Sequence, residues 1–152
     1  MNELTRISIL FLLIIANYIF LTLEVWVWLP DIFLMQTLLF TTFLNRIPNV
    51  YFFILKGFLI DLFFSTYAIP YTLTFGIIGV YLNFSSLKWI QRSFLEQVMM
   101  IFVISLILNI LLGYFNSYSS NAEMRIVFNP FLNSLIWIII YMTQRQKWLK
   151  NF

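Results

Sequence analysis

The sequence has no cysteine, no histidine and few charges among its 152 residues. The first two absences exclude disulfide bonds, thiolate nucleophiles and imidazole ligands, and they remove the commonest general base. Charged residues make up 10% of the chain, whereas a typical soluble domain has about 25%. So few charges cannot cover a surface in water, so much of the molecule must face another medium.

Recognisable catalytic motifs are also absent. The chain has no phosphate-binding loop, no HExxH or GxSxG motif and no dinucleotide-binding glycine fingerprint. The basic residues are spread over separate segments and form no stripe of the kind that binds nucleic acid. The residues therefore indicate no catalytic machinery, and we predict that the protein binds neither a cofactor nor nucleic acid. A membrane-embedded enzyme would need a catalytic site around Asp61 and Lys56.

Long apolar stretches dominate what remains, since 62% of the residues are hydrophobic, 20% are aromatic and the mean hydropathy is +0.91. Six such stretches lie at about 7–23, 32–44, 50–64, 67–84, 94–115 and 126–143. A membrane-spanning helix needs about 20 apolar residues, and the first, fourth, fifth and sixth stretches have sufficient length. The second has it only if it begins at Val25 and passes through Leu29-Pro30. The first continues to Leu23 without a cleavage site, which favours a retained span over a secretory signal. We predict an all-α integral membrane protein with six transmembrane helices in a single domain, residues 1–152, from these six apolar stretches.

The distribution of lysine and arginine predicts the orientation. Basic residues concentrate in cytoplasmic loops, and six helices that start in the cytoplasm leave only Arg125 outside. Both termini are then predicted to be cytoplasmic. The seven basic residues assigned to the cytoplasmic side are Arg6, Arg46, Lys88, Arg92, Arg145, Lys147 and Lys150.

The third stretch contains the most informative polar residues. Gly57 and Asp61 are four residues apart and share a helix face, where the glycine admits a neighbouring helix and the carboxylate accepts hydrogen bonds. The interpretation of Asp61 is open: it is a proton or substrate ligand, or it ties helices together, or it lies near the outer interface, where water can reach it. Lys56 lies about 140° from Asp61 around the helix and is a poor partner for it. Lys56 either extends towards the cytoplasmic surface or pairs with an acid such as Glu96.

Small and polar residues recur every four residues in the later stretches, a spacing by which helices associate in bilayers. A transport pathway would use the same residue types, but helix packing is the more common cause. The three sets are Thr72 and Gly76, then Ser105, Asn109 and Gly113, then Asn133, Trp137 and Tyr141.

Three short motifs resemble those of the rod shape-determining protein MreD family of bacterial inner-membrane proteins. They are Pro30-Asp31 at the start of the second stretch, the run 57–62 (GFLIDL), and the run 133–137 (NSLIW) before the basic tail. Phe53 and Ile69-Pro70 stand where the family often has glycine.

The resemblance implies a non-enzymatic membrane subunit of the cell-elongation machinery. Its implied partners are membrane lipid, an MreC-like protein, an MreB-like actin, and the glycosyltransferase and transpeptidase of peptidoglycan synthesis. It also implies a fold similar to the S-components of energy-coupling-factor vitamin transporters. The alternative function is therefore a substrate-binding subunit of that kind, with its ligand among Trp26, Asp61, Asn109 and Tyr114. The candidate helix-packing or partner-binding residues are Pro30, Asp31, Gly57, Asp61, Asn109, Asn133 and Trp137.

Overall fold

The computed structural model describes the backbone of residues 3–22, 25–44, 46–64, 68–84, 87–115 and 122–150, and the side chains within these ranges between Ser8 and Gln144 except at 122. The described part of the chain contains helices and no β-strand, which confirms the all-α prediction. These described ranges contain six α-helices: α1 (Glu3–Thr22), α2 (Ile32–Thr42), α3 (Val50–Phe64), α4 (Pro70–Phe84), α5 (Phe94–Phe115) and α6 (Ala122–Lys150). Short 3₁₀ turns at Val25–Trp28 and Trp89–Gln91 precede α2 and α5.

Three segments of the described chain are long and apolar enough to cross a membrane: Val25–Thr42, Phe94–Phe115 and Glu123–Gln144. The fourth predicted stretch is shorter than expected, because α4 begins only at Pro70 and has 15 residues. Proline fits the first position of a helix, where its missing N–H needs no partner. The third stretch forms α3, which also has 15 residues. Each of these two helices is about 22 Å long, less than the thickness of a typical hydrocarbon core, about 30 Å.

The second apolar segment has the length of a span but is not a continuous helix. Its 3₁₀ turn ends at Trp28, the backbone is irregular from Leu29 to Asp31, and α2 starts at Ile32. Asp31 caps α2 by accepting a hydrogen bond at Oδ1 from the backbone N of Leu34, at 3.0 Å. Such caps satisfy one of the free amides in the first turn. This break, next to Pro30, positions the largest group of buried polar side chains.

The helix α2 lies at the centre of the bundle, since none of its residues is exposed. Its neighbours α3 and α4 pack as one hairpin, and α5 and α6 as another. The other five α-helices carry large exposed apolar side chains, among them Leu12, Leu62, Val80, Leu95 and Phe131. Water-soluble monomers rarely expose such continuous apolar surface, which suits a lipid environment. The largest fully buried side chains are Trp89, Trp137, Phe33, Phe53 and Phe75.

Candidate functional site: a buried polar cluster around the start of α2

The break before α2 interrupts the helical hydrogen bonding, and side chains of α6 donate to the backbone carbonyls there. Arg125 Nη1 donates to the carbonyl of Trp26 and, at 3.3 Å, to that of Leu29. Asn129 Nδ2 donates to the same Leu29 carbonyl at 2.7 Å. Irregular backbone at membrane depth is tolerated only where protein groups or enclosed water satisfy it. The α6 side chains therefore permit the break that Pro30 introduces.

Arg125 and Asp31 form a buried ion pair beside this break. Each residue is 2% exposed, and Arg125 Nη2 lies 3.7 Å from Asp31 Oδ2. The Arg125 guanidinium also stacks on the Trp26 ring, 3.6 Å from its centre. The Tyr71 hydroxyl donates to Asp31 Oδ2 at 3.2 Å. Asp31 thus connects the start of α2 to both α4 and α6.

Asn129 is the centre of a second set of hydrogen bonds between α5 and α6. Its Oδ1 accepts from Ser105 Oγ at 3.1 Å, from Asn109 Nδ2 at 2.9 Å and from Asn133 Nδ2 at 2.7 Å. Asn133 also donates to Ser105 Oγ at 2.6 Å and accepts from the Asp31 backbone N at 2.9 Å. Asn133 therefore joins the two sets into one. We call this group the polar cluster: Asp31, Tyr71, Ser105, Asn109, Arg125, Asn129 and Asn133.

The chemistry of the polar cluster is that of a structural tie. Its charges neutralise each other, and its amides and hydroxyls bond to one another or to backbone. Two buried atoms, Asn109 Oδ1 and Arg125 Nε, have no hydrogen-bond partner within the described residues. The cluster holds three helices and an irregular segment in one arrangement.

Asp61 forms a separate tie between α3 and α4. Its Oδ1 accepts from the backbone N of Tyr71 at 3.0 Å, and its Oδ2 accepts from the backbone N and the hydroxyl of Thr72, both at 2.7 Å. These are the first free amides of α4, so Asp61 caps that helix from a neighbouring one. The carboxylate is 3% exposed. These bonds tie two helices together, which was one of the interpretations of Asp61.

Gly57 lies on the same face as Asp61 and lets α4 approach. A Cβ atom on Gly57 would lie 2.5 Å from the Tyr71 carbonyl oxygen and 2.6 Å from Thr72 Cα. Both are backbone atoms that cannot move without moving α4. The four-residue spacing therefore places a close backbone contact and a cap one turn apart.

Trp137 belongs to a third tie, at the other end of the α5–α6 hairpin. Its Nε1 donates to Gln97 Oε1 at 3.0 Å, and Gln97 Nε2 donates to the carbonyls of Trp89 at 3.2 Å and Arg92 at 3.1 Å. Gln97 and Trp137 are both 0% exposed. Trp137 is thus a core residue and not an interfacial anchor.

Glu96 does not pair with Lys56, so that predicted partner was wrong. Glu96 Oε1 accepts instead from Arg92 Nη1 at 2.5 Å and from the Tyr81 hydroxyl at 2.6 Å. Lys56 is half-buried in α3. It makes no hydrogen bond or ion pair with any residue that the structure describes.

The sequence predictions named part of this site and missed part of it. Four important residues were not predicted: Tyr71, Gln97, Arg125 and Asn129. The four-residue spacing that identified Asn133 and Trp137 continues backwards along α6 to Asn129 and Arg125. Extending that pattern by two turns would have found them. Tyr71 and Gln97 had no comparable signal.

The residues proposed to line a transporter-like ligand site do not form one bonded group. Asn109 and Trp26 contact different members of the polar cluster, and Asp61 is bonded to the start of α4. Tyr114 is 81% exposed. An open groove of about 620 Å³ lies elsewhere, along the outer side of α3 and α4, and its lining is almost entirely apolar.

Comparison of the chain with protein-family models, with curated proteins and with solved structures finds no match.

Proposed function

We propose that this protein is a membrane scaffold subunit of the bacterial cell-elongation complex, which supports peptidoglycan synthesis by binding other membrane proteins. The main observation behind this proposal is that the polar candidate residues connect helices to one another. All seven candidate residues belong to the helix ties or border the break before α2, and five α-helices present apolar side chains outward. Such a molecule is a rigid apolar body whose surface is available to other membrane segments.

The motifs that resemble the MreD family support the same proposal. Asp31 with Asn133, Gly57 with Asp61, and Trp137 with Gln97 each join two or more helices. A family defined by one helix arrangement would retain contacts of this type. The proposed partners are an MreC-like protein, an MreB-like actin and the enzymes of peptidoglycan polymerisation.

The proposed topology is six spans in the bacterial cytoplasmic membrane with both termini inside. Burial of Arg125 against Asp31 supports it, because the single basic residue assigned to the outer side is not a free loop charge. The helices α3 and α4 are shorter than a typical core, and local thinning of the bilayer would allow them to cross it. The expected similarity to transporter S-components rests on the same resemblance.

The natural absence of cysteine makes this topology straightforward to test. Arg46 and Glu123 are both exposed, and the proposal assigns them to opposite sides. In intact cells, a membrane-impermeant maleimide should label Glu123→Cys and should label Arg46→Cys only after permeabilisation. Labelling of both positions in intact cells would contradict the six-span proposal.

A crosslinking pull-down from native membranes, followed by mass spectrometry, tests the function. Recovery of MreC-like and cell-wall synthesis proteins is the expected result. Recovery of an ATPase pair with a coupling membrane subunit would replace the proposal with the transporter alternative. Repeated failure to recover any elongation protein would overturn it.

A further inference from the structure

Lys56 in α3 and Gln36 in α2 are polar side chains on two neighbouring helices, and neither makes a hydrogen bond or ion pair with a residue that the structure describes. Two ring contacts show that these helices are antiparallel. Phe40 stacks on Phe52 with ring centres 5.8 Å apart, and Phe33 contacts Phe64 at 5.7 Å. The chain therefore runs in opposite directions along α2 and α3.

Both polar residues stand one turn from the Phe40–Phe52 pair, in the same direction along the bundle. Gln36 precedes Phe40 by four residues, and Lys56 follows Phe52 by four. Residues four apart share a helix face. Counted from the Phe40–Phe52 contact, Gln36 and Lys56 are at the same level, and counted from the Phe33–Phe64 contact they are about 7.5 Å apart along the bundle. A lysine side chain extends roughly 6 Å, so the Lys56 ammonium group can come close to the level of Gln36.

This pair of side chains offers hydrogen-bond donors that nothing in the described chain uses. Both residues are half-buried, so part of each remains reachable from outside. The Gln36 Oε1 atom is fully buried without a partner, which leaves the amide nitrogen as the available group. Ammonium and amide N–H groups together fit an oxygen acid.

We infer that Gln36 and Lys56 form a seat for a carboxylate carried by a transmembrane helix of a partner protein. This inference rests on the proposed scaffold function and identifies one contact face for it. Leu55 and Leu59 flank Lys56 and are 61% and 38% exposed, so they supply apolar surface beside the charge. A carboxylate in a partner helix would neutralise Lys56 and would itself need such a partner at this depth.

Depth favours a partner helix over a lipid headgroup. In the proposed orientation Lys56 lies six residues above the start of α3 at Val50, about 9 Å along the helix axis. If α3 is centred in a core of about 30 Å, its start is already about 4 Å inside. A lysine side chain extends roughly 6 Å, so its ammonium group falls short of the phosphate layer.

Site-specific photocrosslinking in the full-length protein tests the inference in native membranes. A photoreactive residue at Leu59 should crosslink to a membrane protein that has Asp or Glu in a transmembrane segment. Lys56→Met should reduce that adduct at least tenfold, whereas Lys56→Arg, which keeps the charge, should retain most of it. A probe at Leu135, exposed on α6, is the matched control and should not depend on Lys56.

A charge exchange gives the strictest readout. Lys56→Glu should abolish the Leu59 adduct, and replacing the partner's carboxylate with lysine should restore it. If the adduct survives both Lys56→Met and Lys56→Glu while elongation proteins still co-purify, the seat is wrong and the scaffold function stands. If Leu59 yields no protein adduct, the inference fails, and the pull-down separately decides the function.

A lipid occupant would give a different result. Purified protein in nanodiscs containing phosphatidylglycerol would retain bound lipid in native mass spectrometry, and Lys56→Met would lose it. That outcome, without a Lys56-dependent protein adduct, would assign the seat to a lipid phosphate and overturn the inference.

Discussion

The α3–α4 hairpin and the polar cluster hold helices together in different ways. In the hairpin, Gly57 brings two backbones into direct contact, and one carboxylate caps the second helix. In the cluster, seven side chains bond to one another and to the irregular backbone before α2. A close contact between regular helices needs only a small residue at the right position. A break in a helix leaves polar backbone groups that several side chains must satisfy. The stability of the break therefore depends on a network of hydrogen bonds among those side chains.

This difference between the hairpin and the polar cluster predicts that removal of the Arg125 charge reduces the free energy of unfolding most. Arg125→Met leaves Asp31 buried without its ion-pair partner and leaves the Trp26 carbonyl without its Arg125 donor. Breaking one side of a buried ion pair typically costs about 3–5 kcal/mol. The free energy of unfolding, measured by denaturant titration in mixed micelles, should fall by that amount. Arg125→Lys keeps the charge and should lose less, while a methionine variant as stable as wild type would contradict the network.

The second prediction tests the close contact in the hairpin. Gly57→Ala places a methyl group against backbone atoms of Tyr71 and Thr72 and should cost about 1–3 kcal/mol through overpacking. Gly76→Ala is the matched control, because its Cβ would meet only the Ile54 side chain, at 3.6 Å. The melting temperature should fall for the first variant and hold or rise slightly for the second. Equal melting temperatures for the two variants would show that the close α3–α4 contact at Gly57 does not limit the stability of the protein.

The cap that Asp61 provides should matter less than the contact beside it. Asp61→Ala removes acceptors for the first amides of α4 and should cost about 1–2 kcal/mol, the usual value of an N-cap. Hydrogen exchange should accelerate at the Tyr71 and Thr72 amides. Thr72→Val removes only the hydroxyl bond and serves as the control, with exchange at those amides little changed. Unaltered exchange in Asp61→Ala would argue against the cap.

The smallest effects should come from single amides within the cluster, and they should be unequal. Hydrogen bonds between membrane helices average about 0.6 kcal/mol, with a maximum near 1.7 kcal/mol. Asn129→Ala removes the acceptor of three donors together with a bond to the Leu29 carbonyl, so it should approach the upper value. Asn109→Ala removes one side chain whose own oxygen is unpaired, and it should lie near the average or below. Unfolding titrations of the two variants measure this difference. Equal losses in the free energy of unfolding would show that Asn129 is not the centre of the hydrogen bonds between α5 and α6.

The sequence was more informative about the hairpin than about the cluster. Gly57 and Asp61 were paired correctly because their relation is local: four residues place them on one face of one helix. The partner of that face, the start of α4, follows closely in the chain. The cluster instead joins Asp31 to Arg125 across most of the chain, and no local spacing relates these two residues.

The break before α2 shows the same limit. Pro30 and an apolar segment were visible in the sequence, but an irregular backbone at that depth depends on donors from α6. The expected length of the fourth helix was wrong because apolar composition extends to residue 67, whereas the helix begins at the proline cap.

The sequence alone determined the class of this protein, since helices must satisfy their own backbone in a bilayer and only apolar side chains are stable towards lipid. It also determined which residues share a face, because helical periodicity is a local property. The tertiary structure decided which faces meet, which carbonyls Arg125 and Asn129 satisfy, and why Lys56 and Gln36 remain without a partner. All three outcomes depend on contacts between residues far apart in sequence. The energy of a buried polar group depends on which hydrogen-bonding and charged groups the fold places beside it.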